Sequence, residues 1–253
     1  MSVRTRIGGM RRQVLGHFLS RRVPLGDIGP IISFSFDDFP RSAYTVGGPI
    51  LKQFGARGTY YVAPALMNRV NDLGEQYHPE DLHSLVEQGH ELGSHTLNHL
   101  SCRSVSLSIF REDVRKGREA IRELTGVTDS GNFAYPYGDV TLRAKKAVGK
   151  EMISCRGTTR GVNGPEIDLN LLRANSLYGD INQLDGARRL ILENERQKGW
   201  LIFYSHDVCP QPSRFGCTPA LLEGALSFAA QRRSPIVTVA RALAIVQEGS
   251  NNR

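Results

Sequence analysis

Two adjacent carboxylates, Asp37 and Asp38, stand at the end of the run Ile31-Ile32-Ser33-Phe34-Ser35-Phe36, with Pro40 just beyond them. Like charges side by side raise each other's pKa, and desolvation at a buried strand end adds to the cost. A cation would relieve that cost, as would a task that needs one carboxylate free to take a proton. Neighbouring side chains of a strand point to opposite faces, so both acids serve one site only where the strand gives way to a turn. A solvated Asp-Asp pair is the plain alternative for this stretch alone.

The second stretch is Glu91-Leu92-Gly93-Ser94-His95-Thr96-Leu97-Asn98-His99. Spacing of four predicts both imidazoles on one face of a helical turn. With a carboxylate they supply three protein ligands and an open position, the catalytic arrangement for zinc. In a third stretch, Asn132-Phe133-Ala134-Tyr135-Pro136-Tyr137-Gly138-Asp139, a strand ends in a turn that can aim the Tyr137 N–H into a site as an oxyanion donor; aromatic packing is the alternative. In the fourth, the apolar run Trp200–Ser205 delivers His206 at its end, and structural and catalytic roles stay equally open for it. Trp200 reads as packing at the strand start rather than as a sugar platform.

These groups need a scaffold whose strand ends converge. Strand patterns fall near Ile31–Phe36, Gly58–Val62, Glu91–Ser94, Asn132–Tyr135, Met152–Cys155, Leu172–Leu177, Leu201–Ser205 and Pro235–Val239. Helical patterns alternate with them, and Thr218-Pro219 forms an N-cap and first-turn pair. Such β–α repetition predicts an α/β fold with a parallel sheet, open or closed as a barrel, in which strand ends on one side meet. Arg156–Asn170 reads as a long functional loop.

Composition is that of a globular protein, with 40% apolar and 23% charged residues, and no apolar run is long enough to span a membrane. Cys102, Cys155, Cys209 and Cys217 form no C-x-x-C pair, which fits a reduced, cytoplasmic protein. The net charge is +7, and removing the six arginines of residues 1–22 takes it to +1. A nearly neutral body argues against a nucleic-acid partner. The expected organisation is a basic leader (1–27), one domain (28–248) and a short tail (249–253). In the leader, Val14, Leu15, Phe18 and Leu19 have helical spacing among arginines, a pattern suited to an anionic membrane surface at the inner membrane face. A helix packed on the domain, disorder and a cleaved presequence remain open.

In order and residue type, the four stretches resemble the polysaccharide deacetylases of carbohydrate esterase family four, over most of the chain from residue 30 to 245. The resemblance implies a single-domain distorted (β/α) barrel of about seven to eight strands. It implies Asp37 as general base and Asp38, His95 and His99 as ligands of a divalent metal, most often Zn2+. It further implies His206 as general acid, and Pro136 and Tyr137 as the turn that offers the oxyanion N–H. The implied reaction is removal of N-acetyl groups from amino sugars of a glycan or lipid-linked precursor. Deformylation or another amide hydrolysis, and a degenerate carbohydrate-binding protein, are the alternatives. Many members carry an arginine where this chain has Ala134, and a later Asp-Trp motif that has no copy here. Arg173 is the expected substitute partner for Asp37, and Asp168 or Asp207 the expected partner for His206.

Overall fold

Eight strand patterns in the sequence become seven parallel strands. Along the chain, the computed structural model describes residues 18–127 and 130–251. Its strands are Arg22–Pro24 (β1), Ile31–Asp37 (β2), Thr59–Val62 (β3), Val70–Asn71 (β4), Gly74–Glu75 (β5), Glu91–Ser94 (β6), Asn132–Ala134 (β7), Ser154–Arg156 (β8), Glu166–Asp168 (β9), Asn175–Ser176 (β10) and Trp200–Ser205 (β11). The helices are Arg41–Thr45 (α1), Gly47–Gln53 (α2), Pro79–Glu87 (α3), Leu107–Thr125 (α4), Leu142–Glu151 (α5), Leu184–Gln197 (α6), Pro219–Gln231 (α7) and Val239–Asn251 (α8).

The main sheet runs β10-β11-β2-β3-β6-β7-β8, with every pairing parallel. Its strand β2, between β11 and β3, is buried at all seven residues, with the alternating Ser33, Ser35 and Asp37 included. Leu172 bridges to Arg156 of β8, and Asn175–Ser176 pair with Phe203–Tyr204 of β11. Residues 172–176 therefore bring the two sheet edges together, and the architecture is the expected distorted (β/α) barrel. Trp200 is fully buried and donates from Nε1 to Ser33 Oγ at 3.0 Å, so it packs rather than forming a platform.

The eighth pattern, Pro235–Val239, shrinks to a single bridge between Ile236 and Ile32. Proline cannot donate to a ladder, and the chain turns into α8 at Val239. The first N–H groups of that helix are taken by buried side chains: Val239 donates to Thr59 Oγ1 at 2.9 Å and Ala240 to Glu91 Oε2 at 2.8 Å. At the start of α7, Thr218 accepts from Leu221 N, as its sequence position predicts.

The body begins earlier than residue 28. Arg22–Pro24 pair antiparallel with Glu166–Asp168, and the buried Lys145 meets Asp168 at 2.6 Å beneath that pair. A three-residue strand is too short to show a period in the sequence. Of the expected amphipathic helix, Val14 and Leu15 lie outside the described residues. Phe18 and Leu19 form an exposed bend instead of a helix.

His90 ties the lower ends of β3 and β6 by accepting from Gly58 N at 3.0 Å. Burial, together with the Arg57 charge, lowers its pKa to about 4. Because the unfolded chain binds a proton there near pH 6.5 and the folded one does not, stability rises with pH through that window. Acidification from pH 6.5 to 4 is expected to cost about 2–3 kcal/mol through this residue. His90→Gln should flatten that part of a stability-versus-pH curve, measured by chemical denaturation.

Candidate metal centre and active site

At the carboxyl end of β2 the backbone abandons the strand abruptly. Asp38 and Phe39 both have left-handed φ values, 63° and 62°. Such a conformation costs a side-chain-bearing residue about 1–2 kcal/mol, and here two occur in succession. The Phe39 ring anchors the turn, stacked on Tyr77 at 4.8 Å. Breaking the strand's alternation sends the two buried carboxylates to different partners.

Asp38 Oδ1 lies 3.3 Å from His95 Nε2 and 3.0 Å from His99 Nε2. These three residues are the one group among the described residues whose His, Cys, Asp or Glu ligand atoms cluster tightly enough for a metal, all within 4.8 Å. His95 Nδ1 faces the Ala134 carbonyl at 2.8 Å, so this nitrogen carries the proton and Nε2 presents its lone pair. Oδ1 completes a proper hydrogen bond to neither ring and is an orphaned buried acceptor. Burial pushes the Asp38 carboxyl up, but the facing imidazoles outweigh it and hold it well below the usual carboxylate range. A carboxylate and two ring nitrogens aimed at one point fit a divalent cation.

The expected helical turn at His95–His99 is absent. Thr96 and His99 are left-handed (φ 66° and 54°), and the segment is an irregular loop. Its shape comes from α4. The buried Asp113 side chain accepts from Leu97 N at 3.1 Å, Asn98 N at 3.0 Å and Asn98 Nδ2 at 2.5 Å. One turn later, Gly117 lets the helix reach the loop: a Cβ there would sit 2.6 Å from the Thr96 carbonyl carbon. Partners that orient metal ligands typically contribute about 10–100-fold in metal affinity. Asp113→Ala and Gly117→Ala are therefore expected to weaken metal binding by about that factor in chelator competition. An unchanged affinity in both folded variants would remove α4 from this role.

Asp37 is held by Arg156, the last residue of β8, through an Nη2–Oδ1 ion pair. Arg156 is 1% exposed and sandwiched between the Tyr61 and Tyr204 rings, 4.8 and 5.0 Å from their centroids. Burial disfavours the charged guanidinium, and the Asp37 carboxylate more than compensates. Arg173, expected in this place, is exposed and donates to Arg160 O at 2.9 Å. The reason is register: β8 extends one residue beyond its apolar run, so Arg156 sits at a strand end, where the other site groups also sit. That pattern was present in Met152-Ile153-Ser154-Cys155-Arg156.

Tyr137 is left-handed (φ 60°), and its ring lies 4.4 Å from His99. The neighbouring N–H groups are spent within the turn, Gly138 on Tyr135 O and Asp139 on Pro136 O, whereas that of Tyr137 has no partner among the described residues. Pro136 is buried at the turn's start. Gly138 closes the turn against Thr158, where a Cβ would fall 2.1 Å from Oγ1.

His206 follows Ser205, which pairs with Phe36, so it emerges beside Asp37 on the neighbouring strand. Its Nδ1 meets the Phe215 carbonyl at 3.2 Å, and its ring lies 6.0 Å from Tyr178 and 5.6 Å from Phe215. Neither expected acid serves it. Asp207 accepts from Ser213 N and Oγ at 2.7 and 2.6 Å, closing its own loop, and Asp168 belongs to the Lys145 pair across the barrel. Tyr178, which the sequence does not single out, is half-buried between Tyr204 and His206; burial, with Tyr204 beside it, pushes its hydroxyl far up, so it stays protonated.

Fold and site together define a parallel (β/α)-barrel protein that gathers a candidate metal triad and an arginine-held carboxylate at the carboxyl ends of its strands. Residues 27–152 match the family model for polysaccharide deacetylase. The chain belongs to the polysaccharide deacetylase family. A peptidoglycan-N-acetylglucosamine deacetylase of Bacillus cereus is 30% identical over 90 residues, a stretch spanning 35% of this chain and 38% of that relative. The fold is shared with the family-four esterase domain of a multidomain xylanase from the hindgut metagenome of Trinervitermes trinervoides (TM-score 0.58, 19% identity, 85% of this chain and 90% of that one). It is shared too with a peptidoglycan deacetylase of Bacillus subtilis (0.56, 15%, 89% and 96%). A family-four acetyl xylan esterase of Clostridium thermocellum, solved with a cobalt ion, is similar to the same degree (0.57, 18%, 85% and 91%).

Proposed function

We propose that this chain is a metal-dependent N-deacetylase of amino sugars in a glycan or lipid-linked glycan precursor. The convergence of Asp38, His95 and His99 beside the Asp37–Arg156 pair carries the reading. A divalent ion on that triad, in our reading Zn2+, supplies Lewis acidity and brings the pKa of water from about 15.7 towards about 7. Asp37, oriented by Arg156, accepts a proton from the attacking water. As water adds to the acyl carbon, negative charge grows on the acyl oxygen, and in this reading the Tyr137 N–H donates to it. The C–N bond then breaks, with His206 delivering a proton from Nε2 to the departing nitrogen; its Nδ1–H is anchored on the Phe215 carbonyl. Acetate and a free amine result.

Arg156 weakens the degenerate-fold alternative, since the missing arginine of the third stretch has a substitute in space. We further infer a cytoplasmic enzyme, consistent with four free cysteines, which meets its substrate at the inner membrane face through the basic residues 4–22. No helix among the described residues is long and apolar enough to cross a membrane.

The test joins metal analysis to a product screen. Purified protein should hold about one equivalent of zinc or a similar ion, lost in His95→Ala/His99→Ala. It should release acetate, rather than formate or ammonia, from N-acetyl-hexosamine oligomers or lipid-linked sugars. Metal-free wild-type protein after supplementation, or no acetate from any of these substrates, would overturn the reading.

A further inference from the structure

Between α4 and α5 runs a groove of about 470 Å³, lined by Leu107, Arg111, Arg143, Lys146, Ala147 and Lys150, with Glu151 at its end. It lies outside the barrel, on a surface the chemistry above does not use. Its charges are unevenly matched. Arg111 is paired with Glu151, and the α4 residue Arg115 with Glu112 and Glu119. On α5, Lys145 points inward to Asp168. The other three cations, Arg143, Lys146 and Lys150, are exposed and have no acidic partner among the described residues. Positions 143, 146 and 150 share one face of the helix, which makes a single cationic crest.

Apolar side chains frame that crest. Leu142 and Ile153, at the two ends of α5, are 42% and 49% exposed. Phe18 and Leu19, 56% and 43% exposed, begin a segment anchored on the opposite, buried face of the helix: Asn170, which packs on Gly149, donates to Leu19 O at 2.9 Å, and Lys145 reaches Ser20 Oγ at 3.3 Å. The sequence before Phe18 adds Arg4, Arg6, Arg11 and Arg12 and no acid.

We propose that the outer face of α5, with Leu142 and Ile153 exposed at its two ends, is a docking surface for an anionic lipid bilayer. Unpaired cations alone would suit any polyanion. Exposed apolar side chains around them favour a bilayer, where the apolar groups enter the headgroup boundary while the cations meet lipid phosphates. A nucleic acid would leave those apolar groups without a use. The surface is distinct from the basic leader, and it does not depend on the deacetylase reading.

The experiment is co-sedimentation of the full-length protein with vesicles of phosphatidylcholine, with and without phosphatidylglycerol. Binding is expected only with the anionic lipid. Each basic residue near such a surface contributes about a four- to sixfold factor, so Arg143→Glu/Lys146→Glu/Lys150→Glu should bind roughly a hundredfold more weakly. The same charge change on α6, Arg188→Glu/Arg189→Glu/Arg196→Glu, should cost far less, and Leu142→Ser/Ile153→Ser should weaken binding without any change of charge. Full-length Arg4→Glu/Arg6→Glu/Arg11→Glu/Arg12→Glu reports on the leader separately. Circular dichroism and denaturant titration show that the variants are folded. Equal losses from the α5 and α6 triples would sink the proposal. So would wild-type binding by the α5 triple, equal binding to neutral vesicles, or binding to inorganic polyphosphate without binding to vesicles.

Discussion

Asp37→Asn is expected to keep the metal content of the wild-type protein and to lower acetate release by about 10²–10⁴-fold, the usual contribution of a positioned general base. Two features of the geometry separate these effects. Asp38 Oδ1, not Asp37, faces both imidazoles, so the ligand set is untouched by the substitution. The amide that replaces the carboxylate retains an oxygen that can accept from Arg156 but cannot take a proton from water. The substitution also strips the charge that matches a fully buried guanidinium, so rates must be referred to folded protein, quantified by denaturant titration. Metal content by elemental analysis and acetate release by a coupled assay decide the matter. Undiminished release would remove Asp37 from the base role, and loss of metal would show that it belongs to the ligand set.

Arg156→Met is expected to lower stability by about 3–5 kcal/mol, because it leaves the Asp37 carboxylate buried without its counter-charge. Turnover should fall as well, since the guanidinium that orients Asp37 is gone. A double-mutant cycle makes the assignment specific. If the pair acts as one unit, Asp37→Asn/Arg156→Met should be markedly more stable than the sum of the two single effects allows. Strict additivity would mean that the contact contributes nothing. Arg173→Ala is the natural control. That side chain is exposed and holds only the Arg160 carbonyl, so its loss is expected to leave both stability and turnover close to wild type.

The recurring unit of this site is a strand that carries a polar group at its carboxyl end, and that unit is local. Ile31–Asp37 and Trp200–Ser205 with His206 are visible as largely apolar runs that stop at a chemically useful residue, and Glu91–Ser94 as a short strand pattern that stops at His95. Alternation of such runs with helical patterns was enough to indicate a parallel barrel, because burial on both faces leaves its mark in each strand separately. The short strands β1, β4, β5 and β9 were not legible in the same way, whereas β10 falls inside the Leu172–Leu177 pattern. β1 and β9 exist only through pairing with each other, Arg22–Pro24 with Glu166–Asp168, and β4 and β5 pair across a tight turn.

Residue types, their order and their places at strand ends were thus determined by the sequence alone, and with the family resemblance they suffice to nominate Asp38, His95 and His99 as ligands. Which group holds which was decided only by the tertiary structure. Arg156 reaches Asp37 across 119 residues, and Asp113 and Gly117 shape the histidine loop from a helix that follows it. No local period encodes such a pairing. It follows from which strand ends the closed sheet brings together, and from the left-handed turns at Asp38, Thr96, His99 and Tyr137 that the packed barrel holds in place.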